Sequence, residues 1–144
     1  RDRLYLARSE VNRLLATSMG LGSRLPAYCT SIGRVLLAQL SEPALARYFA
    51  AVDLQPYTEF TLVTEARLRA ELERIREQDY AVVDQELELN VRAISVPVRS
   101  ASGKACGAVN VSVKAARVPL ERLTGEFLTP MRQAVERIGE FLAA

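Results

Sequence analysis

Apolar residues recur along the chain at two spacings, and the elements change where the spacing changes. Residues 3–8 and 11–19 alternate as two short strands joined at Ser9-Glu10, an antiparallel pair in which Leu15, Thr17 and Met19 share a face. From Ile32 the apolar positions Ile32, Val35, Leu36 and Leu40 follow a helical stripe that opens at Thr30 or Ser31 and runs to about Gln39-Leu40. Ser41 and Pro43 start a second helix carrying Leu45, Tyr48 and Phe49. After a loop over residues 53–61, Leu68, Leu72 and Ile75 predict a third helix from about 65 to 78 with its charges in solvent. Three strands follow, at 80–84, 91–99 and 105–113, the last two joined by a turn at 100–104. Leu120, Leu123, Phe127, Met131, Val135, Ile138 and Leu142 give a closing helix, which Pro130 is expected to kink or divide.

The last two strands have unlike faces. Ile94, Val96 and Val98 point one way and Ala93, Ser95 and Pro97 the other; Val109, Val111 and Val113 oppose Ala108, Asn110 and Ser112. The bulky face suits packing against helices. The small, polar face suits the floor of a pocket, or else a solvated sheet surface. Pro97 implies an edge position or a bulge. The order of elements predicts an α+β domain, an antiparallel sheet with helices packed on one face and a ligand pocket on the other. Between the first strands and the first helix, Gly20 and Gly22 permit unusual backbone angles and Pro26 keeps Leu25 extended. Arg34 falls in that helix's first turn, where the dipole disfavours a cation, so it either reaches solvent or takes an anionic partner: a ligand's carboxylate, or Asp84 or Glu86 of the same chain.

Composition narrows the chemistry. A chain of 144 residues with 49% hydrophobic and 25% charged residues suits one domain spanning 1–144. A formal charge of +2 gives no concentrated basic footprint for nucleic acid. No apolar run approaches the ~20 residues of a membrane span, so no membrane contact is expected. There are 2 cysteines, Cys29 and Cys106, and no histidine, which argues against a zinc site and rules out a Ser-His or Cys-His pair within the chain. Both thiols are expected reduced in a cytoplasmic protein. Arg1 followed at once by strand-like residues suggests a fragment with an upstream part removed. A small-molecule site fits best: residues 30–33 and Arg34 for a carboxylate, Ser95, Asn110 and Ser112 as polar partners, and Met19, Leu25 and Ile32 over the ligand body. The alternatives are a small thioesterase- or lactonase-like enzyme using Cys29 with the acidic cluster Asp84, Glu86 and Glu88, or an oligomerisation module with a filled interior.

The run Gly22-Ser23-Arg24-Leu25-Pro26-Ala27-Tyr28-Cys29-Thr30-Ser31-Ile32-Gly33-Arg34-Val35-Leu36-Leu37-Ala38 resembles the signature of the effector-binding domain of IclR-type transcription factors. Asp79-Tyr80 with Asp84 and Glu86, then Ile94-Ser95-Val96-Pro97-Val98 and Ala108-Val109-Asn110-Val111-Ser112, resemble the family's later motifs. One departure is Asp79, where many members carry Gly. The wording is most similar to the subgroup for aromatic-acid catabolism, whose members respond to 4-hydroxybenzoate, protocatechuate or β-ketoadipate. The resemblance implies a GAF-like fold, a small aromatic or keto carboxylic acid as effector, a homodimer or tetramer, and operator DNA bound through a winged helix-turn-helix outside this chain. It places effector positions on Thr17, Ser31, Ile32, Val83, Val91, Ala93, Asn110 and Ser112. With Met19, Leu25, Tyr28, Thr30, Arg34 and Ser95 these make the candidate ligand-binding set, with no catalytic residue, metal or cofactor expected.

Overall fold

In the computed structural model, residues 3–4 and 24–143 are described, with side chains from Arg24 to Leu142. The elements are β1 (Arg3–Leu4), β2 (Arg24–Leu25), a 3-10 turn (Ala27–Cys29), α1 (Ser31–Leu37), α2 (Glu42–Ala51), α3 (Glu65–Gln78), β3 (Ala81–Asp84), β4 (Val91–Arg99), β5 (Ala105–Lys114), α4 (Leu120–Arg122), a π turn (Leu123–Phe127) and α5 (Leu128–Ala143). β1 pairs antiparallel with β2, Arg3 opposite Leu25. The expected pairing of residues 3–8 with 11–19 otherwise lies outside the described residues.

Local chemistry explains the helix boundaries. The Thr30 hydroxyl accepts the Gly33 N–H at 3.2 Å and so caps α1. α1 stops at Leu37, earlier than its apolar stripe suggests, and the Arg76 Nε of α3 donates to the Ala38 carbonyl at 2.7 Å just beyond that end. Thr64 caps α3, which closes at Asp79 in a left-handed conformation with φ 59°. The Asp79 carboxylate accepts from Arg99 at 2.6 Å, tying the helix end to β4. α1 also lies very close to the 3-10 turn: a Cβ on Gly33 would sit 2.1 Å from the Ala27 carbonyl oxygen.

The three-stranded sheet runs β3-β4-β5, antiparallel throughout, with Ile94 opposite Val111 and Ser95 opposite Asn110. Its two faces are as different as the alternation predicts. Ile94, Val96 and Val98 pack with Leu123, Met131 and Val135 of the C-terminal segment. The opposite face carries Ala81, which packs with Val35, Leu72 and Ile75 of α1 and α3. Helices therefore cover both faces, and the small-residue face shares α1 with the site described below. Small side chains let α1 approach that face closely; bulky ones would hold it off.

Pro97 sits in β4, the middle strand, yet β3 has already ended at Ala81 opposite Ser95. At Pro97 only β5 is paired, opposite Ala108, and the ladder shifts register between Val98 and Arg99. The expected division at Pro130 is realised one turn upstream. The π turn separates α4 from α5, and it contains Glu126, whose carbonyl would otherwise meet the N–H that Pro130 lacks. Among the described residues no helix is long and apolar enough to cross a membrane.

Candidate ligand-binding site

The start of α1 lies over β4 and β5 where their side chains are smallest, and a cavity remains between them. It is lined by Leu25, Cys29, Thr30 and Ser31 from the α1 side, by Val83, Val91, Ala93, Asn110 and Ser112 from the sheet, and by Leu87 and Glu88 from the β3–β4 connection. Its volume is about 40 Å³. That is room for a water-sized group, so a larger occupant needs a wall to move.

A chain of side-chain hydrogen bonds crosses the cavity floor. Ser112 donates to the Asn110 Oδ1 at 3.0 Å. Asn110 Nδ2 donates to the Ser31 hydroxyl at 2.9 Å, and the fully buried Ser95 donates to the same oxygen at 2.8 Å. Residues far apart in sequence thus fix one another's rotamers.

The candidate residues divide. Leu25, Thr30, Ser31, Val83, Val91, Ala93, Asn110 and Ser112 line the cavity. Ser95 lies behind it and holds Ser31. Ile32 is half-buried and is not on the lining. Tyr28 points the other way: its hydroxyl donates to the Gln55 carbonyl at 2.7 Å and accepts the Gln55 N–H at 2.8 Å, and burial pushes its pKa up to about 12. Thr17 and Met19 lie outside the described residues.

Arg34 takes the internal partner. It is 1% exposed, donates Nε to the Tyr28 carbonyl at 2.6 Å, and forks both terminal nitrogens onto the Glu86 carboxylate. Of the partners the sequence left open, the structure shows the internal one, and this bidentate pair with the Tyr28 contact engages Nε and both terminal nitrogens. Asp84 instead pairs with Arg92 at 2.9 Å, so the acidic cluster is dispersed. Glu86 also accepts the Leu62 N–H at 3.0 Å, and its carbonyl accepts from Thr61 at 2.6 Å.

Sequence reasoning left three lining residues out of the set. Cys29 was visible beside the helix cap, whereas Leu87 and Glu88 lie in an irregular connection with no periodicity to read. The connection turns through left-handed residues at Gln85 and Asn90, φ 59° and 63°. Cys29 is fully buried, and burial pushes its thiol up to about 12, although the neighbouring Arg34 guanidinium opposes the shift. Such a thiol keeps its proton at neutral pH, the reverse of an activated nucleophile. Among the described residues no group of His, Cys, Asp or Glu could hold a metal ion. A larger concavity, about 670 Å³, runs between α5 and the end of β4, lined by Arg99, Arg132, Glu136 and Gly139 among others. It is an open groove of mixed charge, remote from the polar network.

Residues 1–140 match the family described as the bacterial transcriptional regulator IclR C-terminal domain. The chain belongs to the IclR family. It is 44% identical over 137 residues to the Pca regulon regulatory protein of Pseudomonas putida, covering 94% of this chain and 47% of that protein. A crystal structure of a putative transcriptional regulator from Rhodococcus sp. RHA1 superposes with a TM-score of 0.93 at 40% identity, covering 99% of this chain and 58% of that one. The inducer-binding domain of the PobR transcription factor from Acinetobacter, solved as a double mutant with 3-hydroxybenzoic acid, superposes with a TM-score of 0.83 at 33% identity, covering 89% and 73%. The fold is therefore the α+β, GAF-like fold of IclR C-terminal domains. The IclR family is one of transcriptional regulators, not of enzymes.

Proposed function

We propose that this chain is the ligand-sensing domain of a transcription regulator for aromatic-acid catabolism, and that its cavity takes a small aromatic or keto carboxylic acid such as 4-hydroxybenzoate, protocatechuate or β-ketoadipate. The observation that carries the reading is the Ser31–Asn110–Ser112 network opening into a cavity whose wall is largely apolar, Leu25, Val83, Leu87, Val91 and Ala93, with Glu88 at one side. A few fixed polar groups in an apolar wall are what orient a small ligand. The Pca and PobR relatives support the class of ligand.

The same geometry supplies a route for a signal. Leu87 and Glu88 line the cavity beside Glu86, and Glu86 is bonded to Arg34 of α1 and to Leu62 of the α2–α3 loop. A ligand that widens the cavity must displace one of these walls. It shifts the population of the domain only if it prefers the displaced arrangement. The readout is a change in how two or four copies of the chain carry their DNA-binding heads.

A thermal-shift panel of aromatic and keto acids tests the reading. An acid at a hundredfold excess over its dissociation constant is expected to add about 3 kcal/mol of stability, and Asn110→Ala should abolish most of it. No stabilisation by any acid at millimolar concentration would sink the assignment.

A further inference from the structure

We propose that the hydrogen-bond network gives the cavity a fixed polarity: Ser31 presents a hydroxyl proton to the ligand and Ser112 presents lone pairs, so the cavity prefers an acid that also carries a ring hydroxyl. The proposal rests on the reading of the cavity as an acid-binding site and adds which group meets which wall.

The argument starts at Asn110, whose amide has only one orientation consistent with its neighbours. Nδ2 lies 3.4 Å from the Ile94 carbonyl oxygen, which can only accept, so the opposite atom, facing Ser112, is the oxygen. That oxygen has no proton. The Ser112 hydroxyl 3.0 Å away therefore donates to it, and its lone pairs are left to the cavity it lines.

The other end is the mirror case. The Ser31 oxygen accepts from Asn110 Nδ2 at 2.9 Å and from the Ser95 hydroxyl at 2.8 Å. A hydroxyl oxygen has two lone pairs, and both are engaged. Its own proton reaches no acceptor among the described residues. Ser31 is 2% exposed and lines the cavity, so that proton has no bulk solvent to turn to. A buried donor without a partner is unfavourable, and an acceptor on a ligand relieves it. Thr30 does not compete. Its hydroxyl donates to the Pro26 carbonyl at 3.1 Å and accepts the Gly33 N–H at 3.2 Å.

A carboxylate, which only accepts, thus belongs at Ser31. A phenolic hydroxyl, which can donate, belongs at Ser112, across the Asn110 amide. The network converts two chemically identical serines into opposite contacts.

The test is calorimetric titration of the chain with benzoate and with its 3- and 4-hydroxy derivatives, for wild type, Ser31→Ala and Ser112→Ala. At least one hydroxy acid is expected to bind wild type about tenfold more tightly than benzoate, as one hydrogen bond implies. Ser112→Ala should erase that preference and leave benzoate unchanged. Ser31→Ala should weaken all three about tenfold and keep the preference. The ratio between acids within one variant is independent of the fraction folded, so Ser112→Ala decides even if Ser31→Ala destabilises the chain. A wild type without the hydroxyl preference, a preference that survives in Ser112→Ala, or binding of β-ketoadipate alone would overturn the polarity and spare the acid-binding reading. A wild type that binds no acid at all overturns both.

Discussion

Arg34 and Glu86 form a buried pair whose partners come from α1 and from the β3–β4 connection, 52 residues apart. Its weight lies in what happens when one member is lost. Glu86→Gln leaves a guanidinium in the interior without its counter-charge, and a loss of about 3–5 kcal/mol is expected in urea denaturation. Gly33 is constrained by space rather than by charge. Its Cβ position is blocked by backbone atoms of Ala27, which cannot rotate away. Gly33→Ala is therefore expected to lower stability by more than about 2 kcal/mol, despite alanine's better helix propensity. An unchanged denaturation midpoint would show that α1 can lift from the turn.

At the scale of elements, the Thr61 hydroxyl is one tie of the α2–α3 loop, beside those at Gln55, Thr58 and Leu62. Thr61 accepts from the Tyr57 N–H at 3.0 Å and the Thr58 N–H at 2.9 Å, and donates to the Glu86 carbonyl at 2.6 Å. Thr61→Val keeps the shape and removes all three bonds. A loss of about 1–3 kcal/mol is expected, with faster amide exchange confined to residues 57–62. Exchange spreading into β4 instead would mean that the loop and the sheet open as one unit. The β3–β4 connection carries Leu87 and Glu88 into the cavity and is tied down at Glu86, so the wall with the least regular structure is anchored near its start.

For the whole molecule, the two raised acids set an alkaline limit. The folded state holds the Cys29 proton up to about pH 12, from an ordinary value of 9.0, and the Tyr28 proton to about 12, from 10.0. In the unfolded chain both protons leave at the ordinary values. Proton release therefore favours unfolding: their contribution is fully present below pH 9 and is lost as pH rises toward 12. The urea midpoint should be level from pH 7 to 8 and fall from about pH 9 upward. Cys29→Ala should flatten the first part of that fall. A midpoint indifferent to alkali would show that neither group keeps its proton on folding. In the native protein at pH 8, a thiol reagent should reach the exposed Cys106 and spare the buried Cys29.

The third helix, the hairpin and the family signature were legible from order alone. Period and caps act over a few residues, so Glu65–Gln78 and Val91–Arg99 could be bounded without knowing their neighbours. Strand alternation likewise put Ala93, Asn110 and Ser112 on one face, because side chains of a strand must alternate. The partner of Arg34 was open between a ligand, Asp84 and Glu86. Only the packing of the β3–β4 connection against α1 chose Glu86 and left Asp84 to Arg92. Tyr28 could have faced the ligand until the fold turned it to Gln55. Leu87 and Glu88 joined the cavity through a connection that no period describes. The proton of Ser31 is the extreme case: its direction depends on Ser95 and Asn110, 64 and 79 residues away. Sequence determined which residues share a face, because that is local geometry. Tertiary structure decided which way each polar group points, because hydrogen bonds are saturable and each partner taken is one denied to a ligand.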